Sequence, residues 1–343
     1  MIYKYASENR EFLKNHTASM KQLAGVRRSV MDDGKERGVR TAEIYNGSGL
    51  NFSVILDRGL DIGNASFRGI PLAWVSPAGF CNPSFYEPEG LGWLRTWGAG
   101  LMTGCGMRNV GAPDRVDGEN IGLHGRLSHI PAGNISTAEE WLDDKYTVSV
   151  SGEMRECRTF GENILLKRKI SIVMGENTIS IDDIMENQGT RPAPAMLLYH
   201  INLGYPLLSE ASILKAVPHQ LAPRDETAAA GAKIWDKCSK PAMGWNEQCF
   251  YHEIPADDDG YARIALFNPA LKLETVVAYR KKELPFLTQW KQMGQGEYVM
   301  GLEPANCHVE GAGKEKEKFA SLKILQPGEK TAFSVKITVT QYV

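Results

Sequence analysis

Two short segments about a hundred positions apart hold the residue types that a proton-transfer reaction needs. Tyr199-His200-Ile201-Asn202-Leu203-Gly204-Tyr205-Pro206 closes an apolar, strand-like run. Gly301-Leu302-Glu303-Pro304-Ala305-Asn306 is entered from another. A histidine and a glutamate in one cleft supply a proton donor and a proton acceptor, the least equipment that opens and closes a sugar ring. Spacing alone does not bring them together. Each also has a plain structural reading, His200 as a core histidine with one backbone hydrogen bond and Glu303 as a strand-end carboxylate in water.

A third segment, Gly122-Leu123-His124-Gly125-Arg126-Leu127-Ser128-His129, flanks a histidine with glycines, which let the backbone approach a ligand closely. Upstream, Gly104-Cys105-Gly106-Met107-Arg108-Asn109-Val110-Gly111 carries an arginine in a glycine-rich run. No Gly-Lys-Ser/Thr follows it, so it is no phosphate-binding loop. Arg108, Arg126 and Arg58 could each read hydroxyls or an anionic substituent, or serve as structural ion pairs. His124 and His129, or Cys307 and His308, reproduce no zinc or calcium ligand spacing, so no protein-held metal is expected. No Gly-x-Ser-x-Gly elbow points to a serine hydrolase.

The elements that must position these residues read as strands. The 34 glycines and 17 prolines are spread along all 343 residues. Phe333, Val335, Ile337 and Val339 alternate with Ser334, Lys336, Thr338 and Thr340, which predicts one buried and one solvated face. Further strands are expected at 146–150, 166–173, 178–184, 262–267 and 271–279, with a meander over 41–74. The apolar run 195–198 predicts a strand buried on both faces, with His200 where it emerges. Helix is expected only around 10–23 and as a turn at 137–144. The segment 222–241 reads as an excursion loop, and 314–318, of alternating charge, as a solvated loop or hairpin edge. The expectation is one mostly antiparallel all-β domain over 1–343, with 1–36 an N-terminal extension packed on it.

A net charge of −2 selects for neither nucleic acid nor a membrane surface. The N-terminus has no apolar core of signal-peptide length. The six cysteines are scattered without Cys-x-x-Cys, which predicts a reduced, cytoplasmic setting.

With these residues in place, the chain resembles the aldose 1-epimerase (galactose mutarotase-like) family, and more closely its bacterial branch of uncharacterised aldose-1-epimerase-like proteins. The likeness runs from about position 38 to the C-terminus. It rests on four ordered segments: Leu123-His124-Gly125; Asn187 with Pro192, Pro194, His200, Asn202 and Leu203; Asn246-Glu247-Gln248-Cys249-Phe250; and Leu302-Glu303-Pro304 with Asn306. The resemblance implies a β-supersandwich with an open sugar-binding cleft, no cofactor, and a free sugar as small-molecule substrate, in a monomer or homodimer. It implies His200 as general acid, Glu303 as general base, His124 as a second sugar-binding histidine, Glu247 as a hydroxyl-binding acid and Arg108 as a sugar-contacting arginine. Arg126 stands where the family has glycine, and Asn202 where its continuation differs, so both are taken as cleft residues that set substrate identity. Trp290, Trp93 or Tyr251 could stack on a sugar face, or pack in the core. The alternatives are a non-catalytic sugar-binding or sensor protein, and a glycosidase or lyase using Glu247 with Glu303.

Overall fold

The computed structural model describes residues 8–342; the first seven residues of the expected N-terminal extension lie outside them. Two large antiparallel sheets face each other. The first runs, in spatial order, through Gly25–Val30, Arg40–Tyr45, Leu50–Ile55, Asp61–Phe67, Met102–Met107, Met196–Gly204, Glu297–Ala305, Phe286–Gly294, Gln248–Glu253 and Gln220–Pro223, with Ile70–Pro71 paired beside Asp61–Phe67. The second runs through Ile213–Lys215, Tyr261–Asn268, Leu273–Arg280, Lys330–Gln341, Thr178–Asn187, Asn163–Val173, Lys145–Cys157 and Gly133–Leu142.

Alternation decides what each strand puts between the sheets. In Met196–Gly204, Leu197, Tyr199, Ile201 and Leu203 join the main core, where they meet Ile170, Ile181, Val335 and Ile337 of the second sheet. Burying such a side chain stabilises by roughly 1.5–3 kcal/mol. Met196 and Leu198, on the opposite face, join a smaller apolar cluster with Trp93, Trp97 and Cys105. The strand is therefore buried on both faces, and His200 belongs to the second one.

A polar bolt crosses the main core. Arg168 donates to Asp183 (Nη2 to Oδ2, 2.7 Å) and to the Gly59 carbonyl (2.9 Å), and the Tyr199 hydroxyl donates to Asp183 Oδ2 at 2.8 Å. Because Tyr199 precedes His200, the bolt fixes the strand that carries the histidine.

The strands over 146–150, 166–173, 178–184, 262–267 and 271–279 form as expected, each somewhat extended or shifted at its ends. Three local expectations are corrected. Residues 137–144 are not helical: strand Gly133–Leu142 pairs along Lys145–Cys157 and turns through Asp143, because ladder pairing outweighs the helix propensity of its Ala and Glu residues. Residues 222–241 contain helix Glu226–Gly231, capped by the Asp225 carboxylate on the Ala228 amide. Residues 314–318 lie largely in helix Ala312–Glu317, where buried Glu315 accepts from the His308 amide and the Ser321 hydroxyl. A five-residue alternation of charge is too short to reveal that inward-facing acid. The N-terminal helix is shorter than expected, Arg10–His16, and sets Leu13 in the core. Among the described residues no helix is long and apolar enough to cross a membrane.

Candidate active site

Neighbouring strands of the first sheet place one residue each in a row across the outer face. Thr288 is registered opposite Glu303, and Tyr251 opposite Thr288. The ladder that pairs Leu198 with Ala305 and Ile201 with Leu302 sets His200 beside Glu303. The order is therefore His200, Glu303, Thr288, Tyr251, with about 4.8 Å between strands. His200 Nε2 stands 3.3 Å from Glu303 Oε1, both side chains nearly inaccessible.

A cleft of about 360 Å³ opens over this row, walled by Trp93, Trp97, Trp290, His124, Arg224 and Glu247. Each indole N–H is engaged: Trp93 with Ser128 (3.1 Å), Trp97 with Thr103 (3.0 Å) and Trp290 with Glu247 Oε2 (2.7 Å). Arg224 donates to the other Glu247 oxygen at 2.9 Å. The acid is held by both oxygens at the mouth, where further lone pairs can take hydroxyl groups.

His124 enters from the loop laid against strand Met102–Met107. Its amide donates to the Gly111 carbonyl, and its carbonyl accepts from Gly106. Its φ of +58° is left-handed, a conformation costing a non-glycine residue about 1–2 kcal/mol. The next position must be glycine: a Cβ at Gly125 would stand 2.5 Å from the Asn109 carbonyl oxygen. The His124 and His200 rings meet edge to face at 5.5 Å between centroids. Side-chain atoms of four groups around this centre are buried without a hydrogen-bond partner: Glu303 Oε1, Thr288 Oγ1, His124 Nδ1 and His200 Nδ1. Such groups are costly unless something else satisfies them.

Burial sets the protonation of the pair. Glu303 is pushed well above the usual carboxylate range by desolvation and by the negative charge of Glu247, against the pull of Arg224. Desolvation lowers His200 to about 4, against a smaller opposing pull from the Asn202 amide. His124 is lowered to about 3 by desolvation and by His200. The resemblance implies His200 as general acid, which needs an imidazolium; burial acts against that form, and the pair favours neutral imidazole beside a protonated carboxyl, which avoids burying two charges.

Of the residues singled out from the sequence, His200, Glu303, His124, Glu247 and Trp290 line one cleft, as does Trp93. Three do not. Arg108 is buried behind the wall, its guanidinium held by Glu119 (2.7 Å) and Glu162 (2.9 Å), so it cannot reach a ligand in the cleft. Arg126 pairs with Glu119 at 2.9 Å and with Glu156 at 3.5 Å in the same acidic cluster. Asn202 donates to the carbonyls of Gly100 (3.0 Å) and His200 (2.9 Å), bracing the histidine strand. Arg58 is likewise structural, bonded to the Cys81 carbonyl and to His129. Tyr251 turns its hydroxyl to Glu310. The sequence reading missed Arg224, Trp97 and Thr288 as cleft residues. Only register could have found Thr288, two positions before Trp290 on the same face. Among the described residues no cluster of three or more metal-ligating side chains occurs.

The architecture is that of the galactose mutarotase-like proteins. A Klebsiella pneumoniae structure provisionally described as an aldose 1-epimerase superposes with a TM-score of 0.86 at 25% identity, over 92% of this chain and 83% of that one. A galactose mutarotase-like protein from Clostridium acetobutylicum matches at 0.66 and 11% identity, over 94% of this chain and 100% of that one. Galactose 1-epimerase from Lactobacillus acidophilus matches at 0.59 and 13% identity, over 93% and 99%. The latter two likenesses are of fold. No curated protein matches the chain. The chain belongs to the family described as a domain of unknown function, DUF4432, whose model spans residues 36–339.

Proposed function

We propose that the protein is an aldose 1-epimerase-like isomerase that interconverts the anomers of a free sugar. The observation that carries this is the His200–Glu303 contact of 3.3 Å at the floor of a cleft with unmet hydrogen-bonding groups and aromatic walls. Sugars present that complement, with hydroxyls for the polar groups and C–H faces for the indoles.

Ring opening removes the proton from O1 as the C1–O1 double bond forms and the C1–O5 bond breaks. Ionised Glu303 accepts the O1 proton, and protonated His200 delivers one to O5. The pair again holds one proton: the imidazole has given its own to O5, and the carboxyl carries the one taken from O1. Rotation about C1–C2 presents the other face of the aldehyde, and closure reverses both transfers. The arrangement that burial favours, neutral His200 with protonated Glu303, is the one matching the open chain. Hydroxyls bound at Glu303 and the cation of Arg224 act in the other direction and support the ionised pair of the ring-closed complex. No step calls for a cofactor or metal.

The test is saturation-transfer NMR between anomers on a panel of free neutral, acidic and phosphorylated sugars, with His200→Ala and Glu303→Gln as controls. Exchange well above buffer, falling about 10²–10⁴-fold in either variant, is the expected result. Full exchange in both variants refutes the assignment. Release of product from aryl glycosides, abolished by Glu247→Gln, would favour a glycosidase instead.

A further inference from the structure

The Thr288 hydroxyl lines the cleft, is almost fully buried and has no partner. A β-branched residue suits a strand, but the strand does not require a hydroxyl there, and an unmet buried one is destabilising. Its place in the row gives it meaning. His200, Glu303 and Thr288 follow one another on three adjacent strands, with Glu303 in the middle. In the proposed reaction His200 faces the ring oxygen and Glu303 faces the hydroxyl on C1. C1 has two ring neighbours, O5 and C2. If His200 is on the O5 side, continuing across the sheet past Glu303 leads to the C2 side.

We propose that Thr288 is a specificity-determining residue whose hydroxyl hydrogen-bonds the 2-hydroxyl of the substrate, so that the cleft takes 2-hydroxy aldoses and discriminates against 2-deoxy sugars. This rests on the mutarotase reading, which supplies the direction in which the ring lies. Arg224 and Glu247 stand further along the same side of the cleft, where the remaining hydroxyls of such a sugar would lie.

The experiment compares wild type, Thr288→Val and Thr288→Ser on D-glucose, D-galactose and their 2-deoxy analogues. Anomer exchange is followed by NMR, and binding by the fluorescence of the cleft tryptophans. Wild type is expected to prefer the 2-hydroxy sugars about tenfold, as one neutral hydrogen bond would give. Thr288→Val, which keeps the branched shape, abolishes that preference by losing affinity and kcat/KM for the 2-hydroxy sugars, and Thr288→Ser restores it. Equal losses for both sugar types, or an undiminished preference in Thr288→Val, overturn the assignment while leaving the mutarotase reading in place. A Thr288-dependent preference in binding without exchange upholds the Thr288 contact and overturns the mutarotase reading. Failure of every sugar to bind wild type overturns both.

Discussion

Gly301→Ala tests whether the spacing of His200 and Glu303, and not merely their presence, produces activity. Gly301 lies on the Glu303 strand two positions before it, so both point to the cleft face. A Cβ built there falls 2.6 Å from Glu303 Oε1 and 3.0 Å from Trp290 Cβ. Ordinary contact begins at 3.4 Å, so the carboxylate must retreat by about 0.8 Å. The oxygen displaced is the one 3.3 Å from His200 Nε2. A misplacement of about 1 Å can cost on the order of 10² in rate. The fold should suffer less: the carboxylate ends a flexible side chain, and local overpacking typically costs about 1–3 kcal/mol. The expected outcome is a cooperative urea transition at lower denaturant, together with anomer exchange reduced roughly a hundredfold. A folded Gly301→Ala protein with full exchange would refute the argument that this contact carries the reaction.

Three other outcomes follow from the same geometry. His200, lowered from 6.5 to about 4, should be neutral at pH 6 by imidazole NMR and should destabilise the fold as pH falls through that window, because only the unfolded chain then binds its proton; a midpoint at or above 6.5 contradicts the burial argument. Trp290→Phe removes the indole N–H that donates to Glu247 at 2.7 Å, and should raise KM about 3–10-fold with a small change in kcat; an unchanged KM would mean that Glu247 needs no orientation. Asp183→Ala strands buried Arg168 and the Tyr199 hydroxyl and should cost about 3–5 kcal/mol in denaturant unfolding, whereas a loss below about 1 kcal/mol would show that the bolt between the sheets is dispensable.

Strands such as Phe333 to Val339 were legible because one face is buried and the other wet, and period-2 alternation is written directly into the chain. The strand Met196–Gly204 was legible for the opposite reason, an apolar run closed by a histidine. Helix Glu226–Gly231 was missed although its signals, Asp225 as cap and three alanines, are local. Helix Ala312–Glu317 and strand Gly133–Leu142 are different: their outcome depends on an inward-facing Glu315 and on pairing with the following strand Lys145–Cys157, which the composition of each segment taken alone does not show.

The same division holds at the site. The sequence by itself determined the supply of chemistry: His200, Glu303 and Trp290 occur at the ends or faces of segments whose apolar runs must be buried, and His124 and Glu247 in short polar or glycine-flanked segments. Tertiary structure alone decided which of them meet and in which state. Cross-strand register put Thr288 beside Glu303, and antiparallel pairing of Gln220–Pro223 with Gln248–Glu253 brought Arg224 to Glu247, while ion pairing drew Arg108 and Arg126 into an acidic cluster behind the wall. Burial then moved the favoured proton from imidazole to carboxyl. Register, ion pairing and desolvation are relations between distant segments, fixed only when the two sheets close on one core.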